Sequence, residues 1–189
     1  MPDSKKQKIL NAALALFVEQ GIHSTSTASI AKAANVANGT LFHHFPSKEA
    51  LVISLYQSVK QDFSQQVAPQ NIMVGNIKEQ ARTAWDNAID WTITHPLHQQ
   101  FCLQVMHYQP ITSQLKAKVL AEEFKYLQQL IELGQQVNLI ATHPIEYMLD
   151  NCHGQFITAS SFFINNPKLA QNIAYRNAAF NMFWQSLQA

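Results

Sequence analysis

The sequence predicts an all-α protein of about nine helices. Hydrophobic residues recur at helical spacing almost throughout the 189 residues, and no stretch shows the alternating pattern of a β-strand. Apolar residues make up 47% of the chain and charged residues only 13%, about half the usual charged share. Because so few residues are charged, we expect a large part of each helix to be buried in a core, against a partner or around a ligand.

The N-terminal quarter predicts two helices followed by a tight turn. Apolar residues fall on one face of a first helix at residues 4–20, which Gly21 ends. A Ser/Thr cluster at residues 24–27 provides an N-cap for a second, short helix. Asn35 is expected to end that helix, since asparagine tolerates the left-handed conformation that a tight turn between helices requires.

A third helix follows at about residues 37–44. Leu41 and Phe45 are spaced i,i+4 and are expected to pack on Ile30, Ala34 and Val36 of the preceding helix and turn. The opposite face is short, polar and aromatic. Its residues are Asn38, Gly39, Thr40, Phe42, His43 and His44.

Proline, glycine and asparagine divide the rest of the chain into further helices. Pro46 gives a break, and Ser47 starts a fourth helix that continues to about residue 67. After a second break at residues 69–75, we predict helices at residues 76–94, 96–108, 112–138, 144–165 and 167–188. We expect a helix-turn-helix domain at residues 1–46 and a helical domain at residues 47–189, with residues 47–67 as a connecting helix.

Two short helices joined by a tight turn can place the second helix in the major groove of DNA. On that helix, Asn38 can bond a base edge, Gly39 permits close approach, and Thr40 can reach a phosphate or a thymine methyl group. The remaining candidates for phosphate contacts are His43, His44, Lys48, Ser26 and Thr27. The net charge of +1 is small, but residues 1–50 carry +2 and the remainder −1. The basic part of the chain therefore contains the predicted helix-turn-helix domain at residues 1–46, which we call the reading head.

The run TSTASIAKAANVANGTLFHHFPSKEALVISLY resembles the DNA-binding domain of the TetR family of repressors over about 45 residues, Ile9 to Leu55. The motif elements of the family occur here in the same order and at the same spacing. They are the Thr-rich start, the I-A pair, the turn, G-T-L, the aromatic or His pair, F, and S-K-E-x-L. The resemblance implies the DNA contacts named above. It also implies a repressor that binds a palindromic operator as a homodimer and is released by a small molecule.

Three positions of this run depart from the family pattern. Asn35 stands where glycine is usual, and asparagine also accepts that turn. Ala37 stands where a serine commonly caps the recognition helix, so Asn38 is an alternative cap that would no longer read bases. Phe42 replaces a frequent tyrosine and loses a hydroxyl group, which favours stacking or packing on the sugar over a phosphate contact.

In the family, the C-terminal region binds the small molecule and forms the dimer. Most aromatic residues of this region are expected to fill the core. The best ligand-binding candidates combine apolar surroundings with a polar tip, and they are Trp85, Met106, His107, Tyr108, Phe124, Tyr147, Asn151 and Gln155. Few charges lie nearby, so we expect a mainly apolar ligand.

The last two long helices are apolar over more than one face. A second apolar face is explained if it meets a copy of itself across a two-fold axis to form a four-helix bundle. The predicted interface residues are Cys152, Phe156, Phe163, Ile173, Asn177, Phe180 and Trp184.

Other functions have weaker support in the sequence. His98 and Cys102 are spaced i,i+4, and Cys152 and His153 could join them in a metal or thiol sensor, but such pairs often arise in helical chains. No motif for phosphate binding or hydrolytic catalysis occurs, so we expect neither an enzyme nor a cofactor or metal. An interaction module that does not bind DNA remains an alternative.

The two cysteines show no disulfide spacing, and the chain has neither a signal-peptide pattern nor an apolar run long enough to cross a membrane. We therefore expect a cytoplasmic protein whose partners are double-stranded DNA, a small-molecule effector and a second copy of itself, with no membrane partner.

Overall fold

The structure is a computed structural model that describes residues 4–68 and 74–189. In these residues the chain forms ten α-helices and one 3₁₀ turn, Val74–Asn76, which confirms the predicted all-α class. The helices are α1 (Lys5–Gln20), α2 (Thr27–Ala33), α3 (Asn38–His44), α4 (Lys48–Val67), α5 (Ile77–Thr94), α6 (Pro96–Met106), α7 (Ser113–Gln136), α8 (Ile145–Asn165), α9 (Pro167–Ala170) and α10 (Ile173–Gln185). Most of the predicted break at residues 69–75 lies outside the described residues.

The chain divides into two compact units. Unit 1 comprises residues 1–61 and 96–119, and unit 2 comprises residues 62–95 and 120–189. The division falls inside α4 and α7, so each of these helices contributes residues to both units. The functional boundary between residues 46 and 47 stays a prediction.

Unit 1 is built on the pairing of α1 with α6. Phe17 and Phe101 are fully buried, and their rings stack with centroids 5.9 Å apart. Gln104 of α6 adds two hydrogen bonds at the end of α1, because its Nε2 donates to the Val18 carbonyl at 3.4 Å and its Oε1 accepts from the Ile22 N–H at 3.2 Å. An aromatic pair of this kind contributes about 0.5–1.5 kcal/mol beyond its burial.

The ends of α1 follow from its sequence. The Ser4 hydroxyl accepts a hydrogen bond from the Gln7 N–H at 3.2 Å and caps the first turn. Gly21 ends the helix at φ 84°, a conformation that side chains disfavour, and its N–H donates to the Phe17 carbonyl. The predicted helix at residues 4–20 is confirmed to within one residue.

The core of unit 2 is formed mainly by α5, α8 and α10. Trp85 of α5 stacks on Phe183 of α10 with ring centroids 4.5 Å apart, and Phe163 of α8 is 1% exposed beside them. The half-buried guanidinium of Arg176 pairs with Asp90 and joins α10 to α5. These contacts make one apolar core with a polar clamp at its edge.

The sequence predicted one helix at residues 167–188, and this prediction is wrong because the chain folds as two helices, α9 and α10. Asn172 is extended at the break, and its side chain accepts from the Ala174 N–H at 2.9 Å. Arg176 Nε donates to the Ala170 carbonyl at 2.8 Å. A cap on one helix and a partner for the last carbonyl of the other stabilise the break.

Candidate functional site

The helix-turn-helix consists of α2, α3 and the turn at Ala34–Ala37. Asn35 adopts φ 53°, the left-handed conformation expected from the sequence, and its N–H donates to the Lys32 carbonyl at 3.1 Å. The Val36 N–H donates to the Ala31 carbonyl at 3.0 Å. The backbone of the turn is therefore bonded to the end of α2, and this fixes the direction in which α3 begins.

The predicted scaffold of α3 is buried. Leu41 and Ile30 are 0% exposed, Phe45 is 3% exposed and Ala34 is 5% exposed. Val36 is only half-buried at the corner. Burial of a leucine or phenylalanine side chain contributes about 1.5–3 kcal/mol, so these residues hold the short helix in place although seven residues alone would not form a stable helix.

The other side of α3 faces solvent. Asn38, Gly39 and His43 are exposed, Phe42 is 46% exposed, and Thr40 and His44 are half-buried. An exposed phenylalanine is unusual on a short polar face, since aromatic side chains are usually covered. The structure thus places all six predicted α3 residues on the accessible side or at its edge. Their contacts with DNA stay a prediction.

The start of α3 settles how the helix is capped. Ala37 occupies the N-cap with extended backbone and no side-chain hydrogen bond, and Asn38 is the first helical residue. The alternative in which Asn38 caps the helix is wrong. The Asn38 side chain is exposed at the first turn and is available to a ligand or a base edge.

Two of the predicted phosphate contacts already make internal hydrogen bonds. The Ser26 hydroxyl caps α2 by accepting from the Ser29 N–H at 3.0 Å. Lys48 Nζ donates to the His23 carbonyl at 2.9 Å, and burial lowers the pKa of Lys48, an effect that Glu49 partly offsets. An ammonium group has three donors, so Lys48 can hold the His23 loop and still meet a phosphate. Thr27 is half-buried at the start of α2.

Lys6 also belongs to this surface, although the sequence did not predict it there. Lys6 Nζ of α1 lies over the ring of Phe45 at the end of α3, 5.9 Å from the ring centroid. This contact brings one positive charge from the basic start of the chain to the recognition helix. The position of Lys6 relative to α3 depends on how α1 and α3 pack. The run of lysines at positions 5, 6 and 8 does not by itself predict which of them lies near α3.

Unit 2 contains a cavity of about 780 Å³ with a predominantly apolar wall. Ala81, Ala84 and Ala88 of α5 line one side, next to Trp85. Their spacing of three and four residues puts three small side chains on one helix face, which leaves volume that larger residues would fill. This alanine stripe is visible in the sequence and is a signal for the cavity that the sequence predictions did not include.

The two predicted ligand residues that line this cavity are Trp85 and Phe124. Other wall residues come from α4, α7, α8 and α10, and include Phe63, Tyr126, Leu130, Cys152, His153, Phe156 and Phe183. Burial raises the pKa of Tyr126, and it raises the pKa of Cys152 to about 12. Both side chains are therefore protonated at neutral pH.

A second, shallower cavity of about 520 Å³ lies in unit 2 between α8 and α10, and Trp85 also contributes to its wall. Asn151 and Gln155 line it, and Gln155 Nε2 donates to Asn151 Oδ1 at 2.6 Å and to Ser186 Oγ at 2.8 Å. The structure therefore brings three of the predicted ligand residues, Trp85, Asn151 and Gln155, together in the wall of this groove.

The remaining predicted ligand residues line neither cavity. Met106, His107 and Tyr108 belong to unit 1, where Tyr108 is 3% exposed and packs 5.0 Å from the ring of His23. Tyr147 on α8 is 70% exposed. Composition alone grouped these residues with the others, and only the packing of the helices separates them from the cavity.

Most of the predicted interface residues lie inside unit 2. Cys152, Phe163, Phe180 and Trp184 are at most 3% exposed, and Phe156 is half-buried in the cavity wall, so their own chain covers them. Ile173 is 67% exposed, and Asn177 is also exposed. The other large exposed apolar residues of α8 and α10 are Tyr147, Phe162, Tyr175 and Met182. An apolar surface on these helices is present, but it is formed largely by residues other than those predicted.

Two classes of feature are absent from the described residues. No three His, Cys, Asp or Glu side chains lie close enough together to hold a metal ion. No helix in the described part of the chain is long and apolar enough to cross a membrane.

Comparison with known proteins agrees with this geometry. Residues 9–55 match the family described as bacterial regulatory proteins, tetR family. A solved structure described as a tetR family transcription regulator from Shewanella sp. PV-4 is 39% identical, covers 99% of this chain and 100% of that chain, and has a TM-score of 0.92. FadR from Bacillus subtilis, solved in complex with stearoyl-CoA, is 18% identical, covers 96% of this chain and 99% of that chain, and shares the fold with a TM-score of 0.75.

One curated regulator matches this chain over a short stretch. The HTH-type transcriptional regulator UidR of Escherichia coli (strain K12) is 51% identical over 47 residues, which is 25% of this chain and 24% of UidR. The chain thus aligns with about a quarter of that relative.

An exposed recognition helix on a buried helix-turn-helix scaffold, carried by an otherwise helical chain with a large cavity, defines a transcription regulator of the helix-turn-helix class. The likeness to the Shewanella structure over the full chain is specific to one family. The chain belongs to the TetR family of transcriptional regulators.

Proposed function

We propose that the protein is a ligand-responsive repressor that binds a palindromic operator as a homodimer and is released by a mainly apolar small molecule. The single observation that carries the proposal is the exposed face of α3, held on a buried scaffold by Leu41 and Phe45. A repressor of this kind acts on DNA in the cytoplasm, where it blocks RNA polymerase.

On the DNA side, the two α3 helices of a dimer are proposed to enter successive major grooves about 34 Å apart. Asn38 and Gly39 would lie against the base edges, and His43, His44 and Lys48 against phosphates. The net charge of only +1 supplies little general attraction to DNA. Affinity is therefore expected to depend on simultaneous binding of both heads, so that a half-site alone binds weakly.

The proposed dimer interface is the exposed apolar surface of α8 and α10. Tyr147 is 70% exposed, Ile173 is 67% exposed and Met182 is 71% exposed. Phe162 of α8 and Tyr175 of α10 are further exposed aromatic residues on the same two helices. Contiguous apolar patches on a soluble protein mark interaction sites. Association of these helices with a second copy would form a four-helix bundle.

The effector is proposed to bind in the 780 Å³ cavity of unit 2. Its volume is within the range of about 300–1,000 Å³ that small-molecule sites occupy. The lining is predominantly apolar, which favours a ligand with an apolar body. In support, FadR shares the fold and forms a complex with stearoyl-CoA, a molecule with a long apolar chain.

The protein has one form that binds the operator and one that does not. Release from DNA requires the ligand to have the higher affinity for the form that does not bind the operator. We propose that occupancy of the cavity moves α4 and changes the separation of the two reading heads. Phe63 and Val67 at the end of α4 line the cavity, and Lys48 at its start bonds the loop before α2. Allosteric coupling between two sites is typically about 1–3 kcal/mol, which corresponds to about 5- to 150-fold in affinity.

The first test is a gel shift with fragments of the protein's own promoter region. We expect the protein to shift a fragment with a palindrome, and Asn38→Ala to weaken the shift about 5- to 150-fold because each head gives up a hydrogen bond to a base of about 0.5–1.5 kcal/mol. Lys168→Ala, which removes an exposed charge on α9 of unit 2, is the matched control and should leave binding unchanged. Failure of the protein to bind any such palindrome favours the alternative of an interaction module that does not bind DNA.

The second test concerns the dimer. Met182→Glu places a charge at a position that is 71% exposed, so the protomer should fold normally. The dissociation constant of the dimer, measured by sedimentation analysis, should rise at least tenfold. Leu97→Glu, at an apolar residue of unit 1 that is 44% exposed, is the control. A Met182→Glu protein that remains fully dimeric contradicts the proposed interface.

A further inference from the structure

Two residues that line the 780 Å³ cavity carry a polar group without a hydrogen-bond partner among the described residues. These groups are the indole N–H of Trp85 and the hydroxyl group of Tyr126, and both polar atoms are shielded from solvent. Neither group bonds to another of the described residues. Trp85 as a whole is 6% exposed, so water around the protein does not compensate for the missing bond.

An unsatisfied buried donor is costly, and native proteins contain few of them. The indole nitrogen of Trp85 can only donate a hydrogen bond, whereas the Tyr126 hydroxyl can donate and accept. Burial raises the pKa of Tyr126, so the hydroxyl keeps its proton at neutral pH and remains a donor. Both groups can therefore be satisfied by the same kind of partner, which is a hydrogen-bond acceptor on a bound molecule.

The charges around the cavity indicate which acceptor fits. Glu122, Lys125 and Glu132 line the cavity from α7, and all three are exposed to solvent. His153 is half-buried and packs 5.3 Å from the ring of Phe124. No side chain of fixed charge in the described wall is buried, so a charged group deep in the cavity would be left without a counter-charge, which is unfavourable. An uncharged acceptor does not meet this penalty.

We propose that the effector carries an uncharged oxygen acceptor, such as the carbonyl of a ketone, ester or amide, on its apolar body. The Trp85 indole N–H and the Tyr126 hydroxyl donate to that oxygen. Because both polar atoms are shielded from solvent, the proposal requires the Trp85 and Tyr126 side chains to rotate towards the cavity when the effector binds. This inference rests on the proposed function, in which the cavity of unit 2 is the effector site.

The chain offers a close control for each donor. Trp184 also has a buried indole N–H without a partner among the described residues, but it does not line the cavity. Trp184→Phe therefore makes the same chemical change as Trp85→Phe at a site the ligand does not touch. Tyr56→Phe, at a tyrosine of unit 1 that lines neither cavity, is the control for Tyr126→Phe. Tyr126 lines only the larger cavity, so its variant separates ligand binding from effects on the groove between α8 and α10.

The test uses two fluorescent probes with the full-length protein in the absence of DNA. One is propionyl-dimethylaminonaphthalene, which has a ketone oxygen, and the other is its propyl analogue, in which a CH₂ group replaces the carbonyl. Dissociation constants are measured by probe fluorescence for the wild type and the four variants. The indole N–H signals in an NMR spectrum, with that of Trp85 identified by its loss in Trp85→Phe, give a second readout.

We expect the ratio of ketone to propyl affinity to fall about 3- to 10-fold in Trp85→Phe and in Tyr126→Phe, the effect of one neutral hydrogen bond, and to be unchanged in both controls. The Trp85 N–H signal should shift with the ketone and not with the propyl probe, while that of Trp184 stays in place. Binding of both probes with an affinity ratio that no variant changes would overturn the inference and leave the cavity as an apolar effector site. If neither probe binds, both the inference and the effector assignment are wrong, whereas DNA binding is judged separately by gel shift.

Discussion

Replacement of Gly39 by alanine separates the stability of the reading head from its contact with DNA. Gly39 is the second residue of α3 and is exposed. A Cβ atom built on it meets no other heavy atom within 4 Å, so the free protein has room for the added methyl group. Any decrease in operator binding must then come from contact between that methyl group and DNA.

The two expected effects have opposite signs. Glycine in a helix is less stable than alanine by about 0.5–1 kcal/mol, so Gly39→Ala should raise the free energy of unfolding by up to that amount. On DNA, a methyl group where the backbone approaches the bases pushes the helix outward. If each head loses about 1 kcal/mol, a dimer loses about 2 kcal/mol, which is roughly 30-fold in affinity.

Chemical denaturation measures the first effect, and a salt-controlled gel shift or fluorescence anisotropy titration measures the second. Gly75→Ala is the matched control, because Gly75 is exposed, also has no neighbour within 4 Å of a built Cβ, and belongs to unit 2 outside α8 and α10. It should leave operator binding unchanged. A Gly39→Ala protein with unchanged operator affinity would refute the placement of Gly39 against DNA.

Three further predictions follow from single interactions. Lys48→Ala should weaken binding to all DNA sequences alike and lower the salt dependence by about 0.9 for each phosphate that the ammonium group neutralises, and it should also lower stability because the His23 carbonyl loses its donor. Gly134→Ala should destabilise the protein by about 1–3 kcal/mol, since the new Cβ would stand 2.5 Å from Cδ1 of Ile140, a side chain that is only 1% exposed. Cys152, whose pKa burial raises to about 12, should resist thiol reagents in the native protein at pH 8 and react on unfolding. Its folded thiol holds the proton more tightly than an unfolded thiol with a pKa of 9.0, so its contribution to stability is present below pH 9 and is lost as the pH rises towards 12.

Each of these has a control. Lys168→Ala should leave the salt dependence of DNA binding unchanged, and an identical slope in Lys48→Ala would remove Lys48 from the phosphate contacts. For Gly134, denaturation of Gly134→Ala without loss of stability would show that Ile140 moves aside at little cost. Cys152 is measured in a Cys102→Ser background, and rapid labelling of the folded protein would contradict its burial.

The sequence was sufficient for the reading head because its signals are local. The turn at Asn35, an N-cap within the Ser/Thr cluster at residues 24–27 and the i,i+4 pair Leu41 and Phe45 each act over a few residues. The structure confirms the turn and the buried pair, and it assigns the cap to Ser26. The helix boundaries from residue 4 to 67 agree to within a few residues for the same reason. The role of Lys48 was only partly visible, because its bond to His23 spans 25 residues.

The C-terminal residues were harder to assign because helical periodicity reports that a face is apolar and does not report what covers it. Phe180 and Trp184 were predicted at the interface and lie in the core, whereas Met182 between them is 71% exposed. On α5, Trp85 was correctly associated with a cavity, but the alanine stripe beside it was not. Neighbouring positions on one helix belong to different environments, and a small rotation of the helix exchanges them.

By itself, the sequence determined the all-α class, the helix-turn-helix and the exposed face of α3, since caps, turns and i,i+4 spacings fix these through interactions between residues close in the chain. Tertiary structure alone decided the cavity, its two unsatisfied donors and the exposed apolar surface of α8 and α10. The physical reason is that burial and cavity volume depend on how α5, α7, α8 and α10 pack, and their contacts join residues far apart in the sequence. Asn38 shows where prediction from sequence ends. The sequence left open whether Asn38 caps α3, and the structure places Ala37 at the cap and the Asn38 side chain on the exposed face of α3.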